Sequence, residues 1–132
     1  MMTLYISGFY CALTTLLALF LSARVVQLRV RFKVGVGNGD HPELYLARRA
    51  HSNLVENAPL GMLLLILAEA NGVHDGWLHL LGTIFLAARL LHAIGLAQGK
   101  GGENIGRLLG MLGTWGVMIA LALLNVILFL EA

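Results

Sequence analysis

The run Met1-Met2-Thr3-Leu4-Tyr5-Ile6-Ser7-Gly8-Phe9-Tyr10-Cys11-Ala12-Leu13-Thr14-Thr15-Leu16-Leu17-Ala18-Leu19-Phe20-Leu21-Ser22-Ala23 carries no charged side chain, and it decides the solvent in which the chain folds. A helix needs about 20 apolar residues to cross a bilayer, so this stretch predicts a spanning segment. A cleaved signal would have a basic region ahead of its apolar run, whereas here the first cation, Arg24, follows it, so the segment is expected to be retained. The rest of the chain agrees. Of 132 residues, 58% are hydrophobic and 12% charged, against roughly 25% charged in soluble domains, and the mean hydropathy is +0.81. So short a chain has too much surface for its volume to hide that excess in a core. Lipid must bathe most of it, which excludes a soluble globular protein.

Three further apolar stretches follow. Leu54–Ala70 contains Glu56, Asn57 and Pro59; Trp77–Leu96 contains His79, Arg89 and His92; Leu108–Leu130 is uncharged and follows Arg107 directly. The expectation is an all-α membrane protein of four spanning helices, about 2–33, 41–70, 76–97 and 104–130, in one domain over 1–132. Gly35-Val36-Gly37-Asn38-Gly39 breaks the first helix. Asp40, Pro42 and Glu43 read as N-cap, early proline and capping-box acid for the second, which at 1.5 Å per residue outlasts the ~30 Å hydrocarbon layer. The segment joining the first two spans holds six of the nine Lys and Arg residues: Arg24, Arg29, Arg31, Lys33, Arg48 and Arg49. By the positive-inside rule it is expected on the cytoplasmic side. Parity then puts Lys100 on that side and both termini on the other.

The net charge of +2, with no basic run suited to a phosphate backbone, excludes nucleic acid as a partner. The lone Cys11 allows no internal disulfide or cysteine metal cluster and reads as a small hydrophobe. His41, His51 and His74 show no metal-ligand spacing. Gly82, Gly110, Gly113 and Gly116 are expected at close helix contacts. Arg24, Arg31 and Lys33 read as headgroup contacts, Trp77 as an interfacial anchor with His79 beside it, and Glu69 and Asp75 as solvated.

Ionisable residues inside spanning segments are functional candidates because each costs at least about 2.5 kcal/mol near a helix centre. Arg49, Asn53 and Glu56 are spaced i, i+4, i+7, which puts them in one stripe of the second helix. Arg89 and His92 share a stripe of the third. Arg107 opens the fourth, where its cation adds to the positive helix end. These stripes near one membrane face describe a pocket for a charged, water-soluble ligand with anionic groups. Pairing of Glu56 with Arg89 or Arg49, gluing the bundle without a ligand, is the competing reading. Four thin helices enclose little interior, which favours an oligomer with polar sites between subunits.

Arg49-Ala50-His51-Ser52-Asn53-Leu54-Val55-Glu56-Asn57-Ala58-Pro59 resembles the signature of the membrane-associated proteins in eicosanoid and glutathione metabolism, the MAPEG family. Gln27-Leu28-Arg29-Val30-Arg31 resembles the end of that family's first helix, Arg89-Leu90-Leu91-His92 the third helix of its prostaglandin E synthase branch, and Arg107 the arginine that opens its fourth. The resemblance covers nearly the whole chain and looks like a small, bacterial-type member of an inner membrane. It implies a homotrimer binding glutathione between neighbouring subunits on the cytoplasmic side. Arg49, Asn53 and Glu56 would hold the tripeptide's backbone and amino end, with Arg29 from a neighbour and Arg89 or His92 on its carboxylates and peptide groups. Arg107 would face the sulfur. The implied activity is glutathione transfer, with peroxidase activity as a variant, to hydrophobic electrophiles arriving from the membrane lipids. Two positions depart from the family: Leu96 stands where several enzymes carry a tyrosine, and Ser52 where the prostaglandin synthase branch has arginine. A non-catalytic lipid-binding or scaffold protein of the same fold is the alternative, and a small transporter using Arg89, His92 and Glu56 fits less well because these residues do not line a full path.

Overall fold

The computed structural model describes residues 3–132, so the expected helix start at Met2 lies outside the described residues. Four helices run antiparallel in sequence order: α1 (Tyr5–Phe32), α2 (Pro42–Ala70), α3 (Asp75–Gln98) and α4 (Ile105–Leu130). Each is long and apolar enough to cross a membrane, and there is no strand among the described residues. The helix α1 packs on α2 and α3, and α4 packs on the same two, while α1 and α4 do not touch. The cross-section is therefore a rhombus with α2 and α3 across its short diagonal. Leu54, Ala58, Met62 and Leu65 of α2 meet Phe85 of α3, Tyr10 of α1 and Val117 and Leu121 of α4 in the core. Large side chains such as Phe20, Trp77, Ile119 and Phe129 point outward, as lipid or another subunit requires.

Helix ends explain how the polar residues are carried. The first turn of α1 has no side-chain cap of its own. Glu69, in the last turn of α2, supplies one: its carboxylate oxygens accept from Ile6 N at 2.9 Å and Ser7 N at 2.7 Å. Glu69 is thus a structural cap for a neighbouring helix, where the sequence suggested a solvated acid.

Asp40 does not cap α2. It sits at φ +58°, the left-handed region that Asp tolerates better than most residues, and His41 is the N-cap with Pro42 at the first helical position. The reason is steric: proline pushes the residue before it out of the helical region, and His41 accordingly has φ −92° and ψ 108°. Glu43 faces Arg24 and Arg31 on α1. The ring of His41 stacks on Phe32 with centroids 4.0 Å apart, closing the loop between α1 and α2.

Glycine sets how closely α3 and α4 approach. A Cβ on Gly110 would lie 2.5 Å from His92 N and 2.6 Å from Ala88 O. Gly95 is packed the same way against the start of α4, where a Cβ would meet Asn104 Oδ1 at 2.6 Å. Gly82 gives room to the Tyr10 ring and Gly113 lies near Ala88, whereas Gly116 has open space around it and makes no close contact within the chain.

Candidate functional site

The polar residues singled out by sequence, Arg89 excepted, gather at the arginine-rich end of the bundle in two depressions that share Tyr45 and Arg49 of α2. The first is a crevice of about 80 Å³ lined by Arg49, Asn53, His92, Leu96, Gly101 and Arg107 with Tyr45 and Leu46. The second, about 440 Å³, lies between α1 and α2 and is lined by Arg29, Arg48, Arg49, His51, Ser52 and Glu56 with Val25 and Tyr45. Arg49 borders both. The i, i+4, i+7 stripe of Arg49, Asn53 and Glu56 therefore straddles the ridge between the two depressions.

Arg89 is held inward. Its Nη1 donates to Asn53 Oδ1 at 2.7 Å and its Nη2 to Gly110 O at 3.1 Å, while Nε is buried with no partner. Only 4% of the residue is exposed. With its Oδ1 occupied, Asn53 is left to offer donors from its Nδ2 to the crevice. Arg89 thus acts on the crevice through Asn53, although spacing alone put it on the same stripe as His92. His92, buried one turn along α3, does line the crevice.

Arg107 is placed by its own loop. Asn104 caps α4 by accepting from Gly106 N at 2.9 Å and Arg107 N at 3.3 Å. Two of the backbone donors of the helix start are thereby engaged, and the Arg107 side chain stands beside them. Arg107 Nη1 donates to Gly101 O at 2.9 Å and Gly102 O at 3.3 Å, which pins the guanidinium at the crevice mouth. On its other side opens a cavity of about 870 Å³ that includes the apolar Ile105, Leu108 and Met111.

Arg29 is also anchored locally: its Nη1 reaches Val34 O at 3.3 Å and Gly35 O and Gly37 O, both at 3.1 Å. Glu56 is exposed and takes part in no ion pair among the described residues, where the two recorded pairs are those of Glu43. The chain thus gives no support to Glu56 as a glue for Arg89 or Arg49. Sequence reading passed over Tyr45, which borders both depressions, and Arg48 and His51, which line the second. Arg48 lies one helical turn after Tyr45 and one before both His51 and Ser52, so their place on that face was open to the same periodicity argument.

The arrangement is a donor-rich rim. Arg49, Arg107 and the Asn53 amide offer donors, and His92 adds a ring nitrogen, so the matching ligand groups are carboxylates, carbonyls or a thiolate. Cofactor pockets run to about 300–1,000 Å³, so the crevice of one chain is too small to enclose such a ligand alone.

Comparison with known proteins places the whole chain rather than its site. The chain is 34% identical over 120 residues, 91% of its length, to "Inner membrane protein YecN" of Escherichia coli K12, covering 89% of that protein. The protein of the same name from Escherichia coli O6:H1 matches to the same extent. The sequence pattern of the MAPEG family matches residues 7–127, which bears out the resemblance carried by Arg49 to Pro59. This chain is an integral, multi-pass membrane protein with four candidate spanning helices, and it belongs to the MAPEG family.

Proposed function

We propose that this protein is a glutathione-dependent transferase, with peroxidase activity as a variant, acting on hydrophobic electrophiles in an inner membrane and working as a homotrimer. The observation that carries this reading is the convergence of Arg49, Asn53, His92 and Arg107, from α2, α3 and the start of α4, on one donor-rich crevice. The crevice is too small to hold the tripeptide by itself, and the complementary residues Arg29 and Glu56 lie in a second depression across α2. A neighbouring copy that brings its α1–α2 face to this crevice supplies the missing half. That is why the homotrimer belongs to the proposal.

The residues present fit the ligand. Glutathione carries two carboxylates and two peptide groups that match arginine and amide donors, and an amino group that matches Glu56. It supplies a thiol whose ionised form is the nucleophile. Arg49 and Asn53 bind and orient the backbone, with the Asn53 amide fixed in turn by Arg89. Arg107, anchored on the Gly101 and Gly102 carbonyls, holds positive charge at the crevice mouth and so favours sulfur without its proton. The apolar surface of Ile105, Leu108 and Met111 beyond Arg107 offers an electrophile a route from the lipid.

The test is the melting temperature of the detergent-purified protein across glutathione concentrations, for wild type, Asn53→Ala and Arg107→Ala. A ligand that binds the native state stabilises it as RT ln(1 + [L]/Kd). A saturable rise in wild type that disappears in Asn53→Ala supports the site, and turnover of an aryl chloride lost in Arg107→Ala supports the transferase. No shift up to millimolar glutathione, with the oligomer intact, would sink the reading.

A further inference from the structure

A further depression, which shares Leu46 with the crevice and no residue with the depression between α1 and α2, lies between α1 and α3 at the arginine-rich end, with a volume of about 730 Å³. Four alanines line it: Ala47 and Ala50 on α2, Ala93 and Ala97 on α3. Side chains that stop at Cβ leave the gap between α1 and α3 unfilled. Phe20, Leu90 and Ile94 flank it, and Arg24 and Glu43 stand at its polar end. On α1 the lining runs from Leu17 to Leu28, and on α3 from Leu90 to Ala97, about 10 Å along α3 at 1.5 Å per residue. Its stripe on α2, Leu46, Ala47 and Ala50, is turned about 100° from the stripe of Arg49, Asn53 and Glu56. The two faces meet at Leu46 and otherwise present different side chains.

The charge at the polar end selects among occupants. Arg24 Nη2 donates to Glu43 Oε1, and Arg31 Nη1 lies 3.8 Å from Glu43 Oε2, so two guanidinium groups share one carboxylate and a positive charge is left over. Both arginines keep about half or more of their side chain exposed, 48% and 68%. A positive, solvated rim at the end of an apolar, alanine-lined groove that runs into the bilayer matches one chemistry: an anionic phosphate headgroup with acyl chains attached.

We propose that the α1–α3 groove is a binding site for an anionic glycerophospholipid, its acyl chain lying over Ala47, Ala50, Ala93 and Ala97 and its phosphate meeting Arg24 and Arg31. The site needs no second copy and no glutathione. Glu43 is the specificity-determining residue, because it neutralises one of the two cations and so limits the charge offered to the headgroup.

The experiment uses the full chain, stripped of lipid in neutral detergent, and measures retention by native mass spectrometry of phosphatidylglycerol against phosphatidylcholine with the same acyl chains. Wild type is expected to prefer phosphatidylglycerol. Arg24→Gln and Arg31→Gln should each weaken that preference by about fivefold while leaving phosphatidylcholine unchanged. Glu43→Gln should strengthen it, which a merely structural ion pair would not do. Ala97→Phe, filling the groove, should lower retention of both lipids, and Ala93→Leu serves in its place if the larger residue prevents folding. Equal retention of the two lipids by wild type, or a preference unchanged in all three charge variants, overturns the proposal. So does a change in oligomer mass on groove filling without loss of lipid, which would assign the groove to another copy of the chain.

Discussion

Arg89 Nη1 donates to Asn53 Oδ1 at 2.7 Å, tying α3 to α2 across 36 positions of sequence. The same guanidinium holds Gly110 O on α4, so one buried side chain joins three helices directly behind the crevice. Removing it strands the Asn53 oxygen, and removing Asn53 leaves a buried cation one acceptor short; an unsatisfied buried group of this kind costs about 1–3 kcal/mol. The expected outcome of a double-mutant cycle on Arg89→Leu and Asn53→Ala is therefore a coupling of about 0.5–3 kcal/mol, read from reversible unfolding in detergent. Additivity of the two changes would show that the pair does not act as a unit.

The contact between α3 and α4 makes a prediction of opposite signs. Gly110→Ala drives a methyl group into the α3 backbone and is expected to destabilise by about 1–3 kcal/mol. Gly116→Ala adds a methyl group where there is open space, and the helix gain of up to about 1 kcal/mol should appear undiminished. Melting temperatures of the two variants, measured side by side, check both directions.

The four spans were legible because lipid imposes a simple demand, about 20 apolar residues in succession, that Met1–Ala23 and Leu108–Leu130 meet without interruption. The stripe of Arg49, Asn53 and Glu56 was legible from the helical period, and the structure adds that its members divide between two depressions. What sequence could not supply is direction. Arg89 and His92 are one turn apart, and nothing local decides that the longer side chain reaches inward to Asn53. Glu69 offered no signal either, since the helix it caps begins more than 60 residues earlier. Asp40 misled for the opposite reason: a strong local preference lost to the steric demand of Pro42 on His41.

Arg29 carries a prediction about the loop it anchors. Its contacts with Val34 O, Gly35 O and Gly37 O gather carbonyls that the turn after α1 leaves unpaired. Arg29→Met should speed hydrogen exchange at Val34 and His41, whose amides donate to Arg29 O and Asn38 O, by a factor of about 2–12 for the loss of one net hydrogen bond. The measurement is made without glutathione. An unchanged loop there would mean that Arg29 matters only to a ligand.

Glu69 predicts a stability effect at the opposite end of the bundle. Its two carboxylate oxygens take the first-turn donors of α1 that no residue of α1 satisfies. Glu69→Ala should cost about 0.5–2 kcal/mol, the range for losing an N-cap, and exchange at Ile6 and Ser7 should rise while that at the arginine-rich end stays constant. Glu69→Gln keeps one acceptor and loses the charge that favours a helix N-terminus, so its cost should be smaller.

The proposed role of Arg107 predicts a pH dependence whose sign is fixed. A free thiol has a pKa near 8.5, and a cation within a few ångströms favours the ionised form, moving the midpoint of thiolate formation downward. Because Arg107 Nη1 is held on the Gly101 and Gly102 carbonyls, its charge stays at the crevice mouth and does not wander into solvent. Thiolate absorbance of glutathione bound to wild type is therefore expected at a lower pH than for glutathione in buffer. In Arg107→Gln the midpoint should return toward the free value, and the gap between the variants should narrow as pH rises above it. Arg107→Lys retains the charge but not the guanidinium whose Nη1 donates to both carbonyls, so its midpoint should fall between the two. Identical titrations in wild type and Arg107→Gln, at saturating glutathione, would remove Arg107 from the chemistry and leave it as an anchor of the loop between α3 and α4.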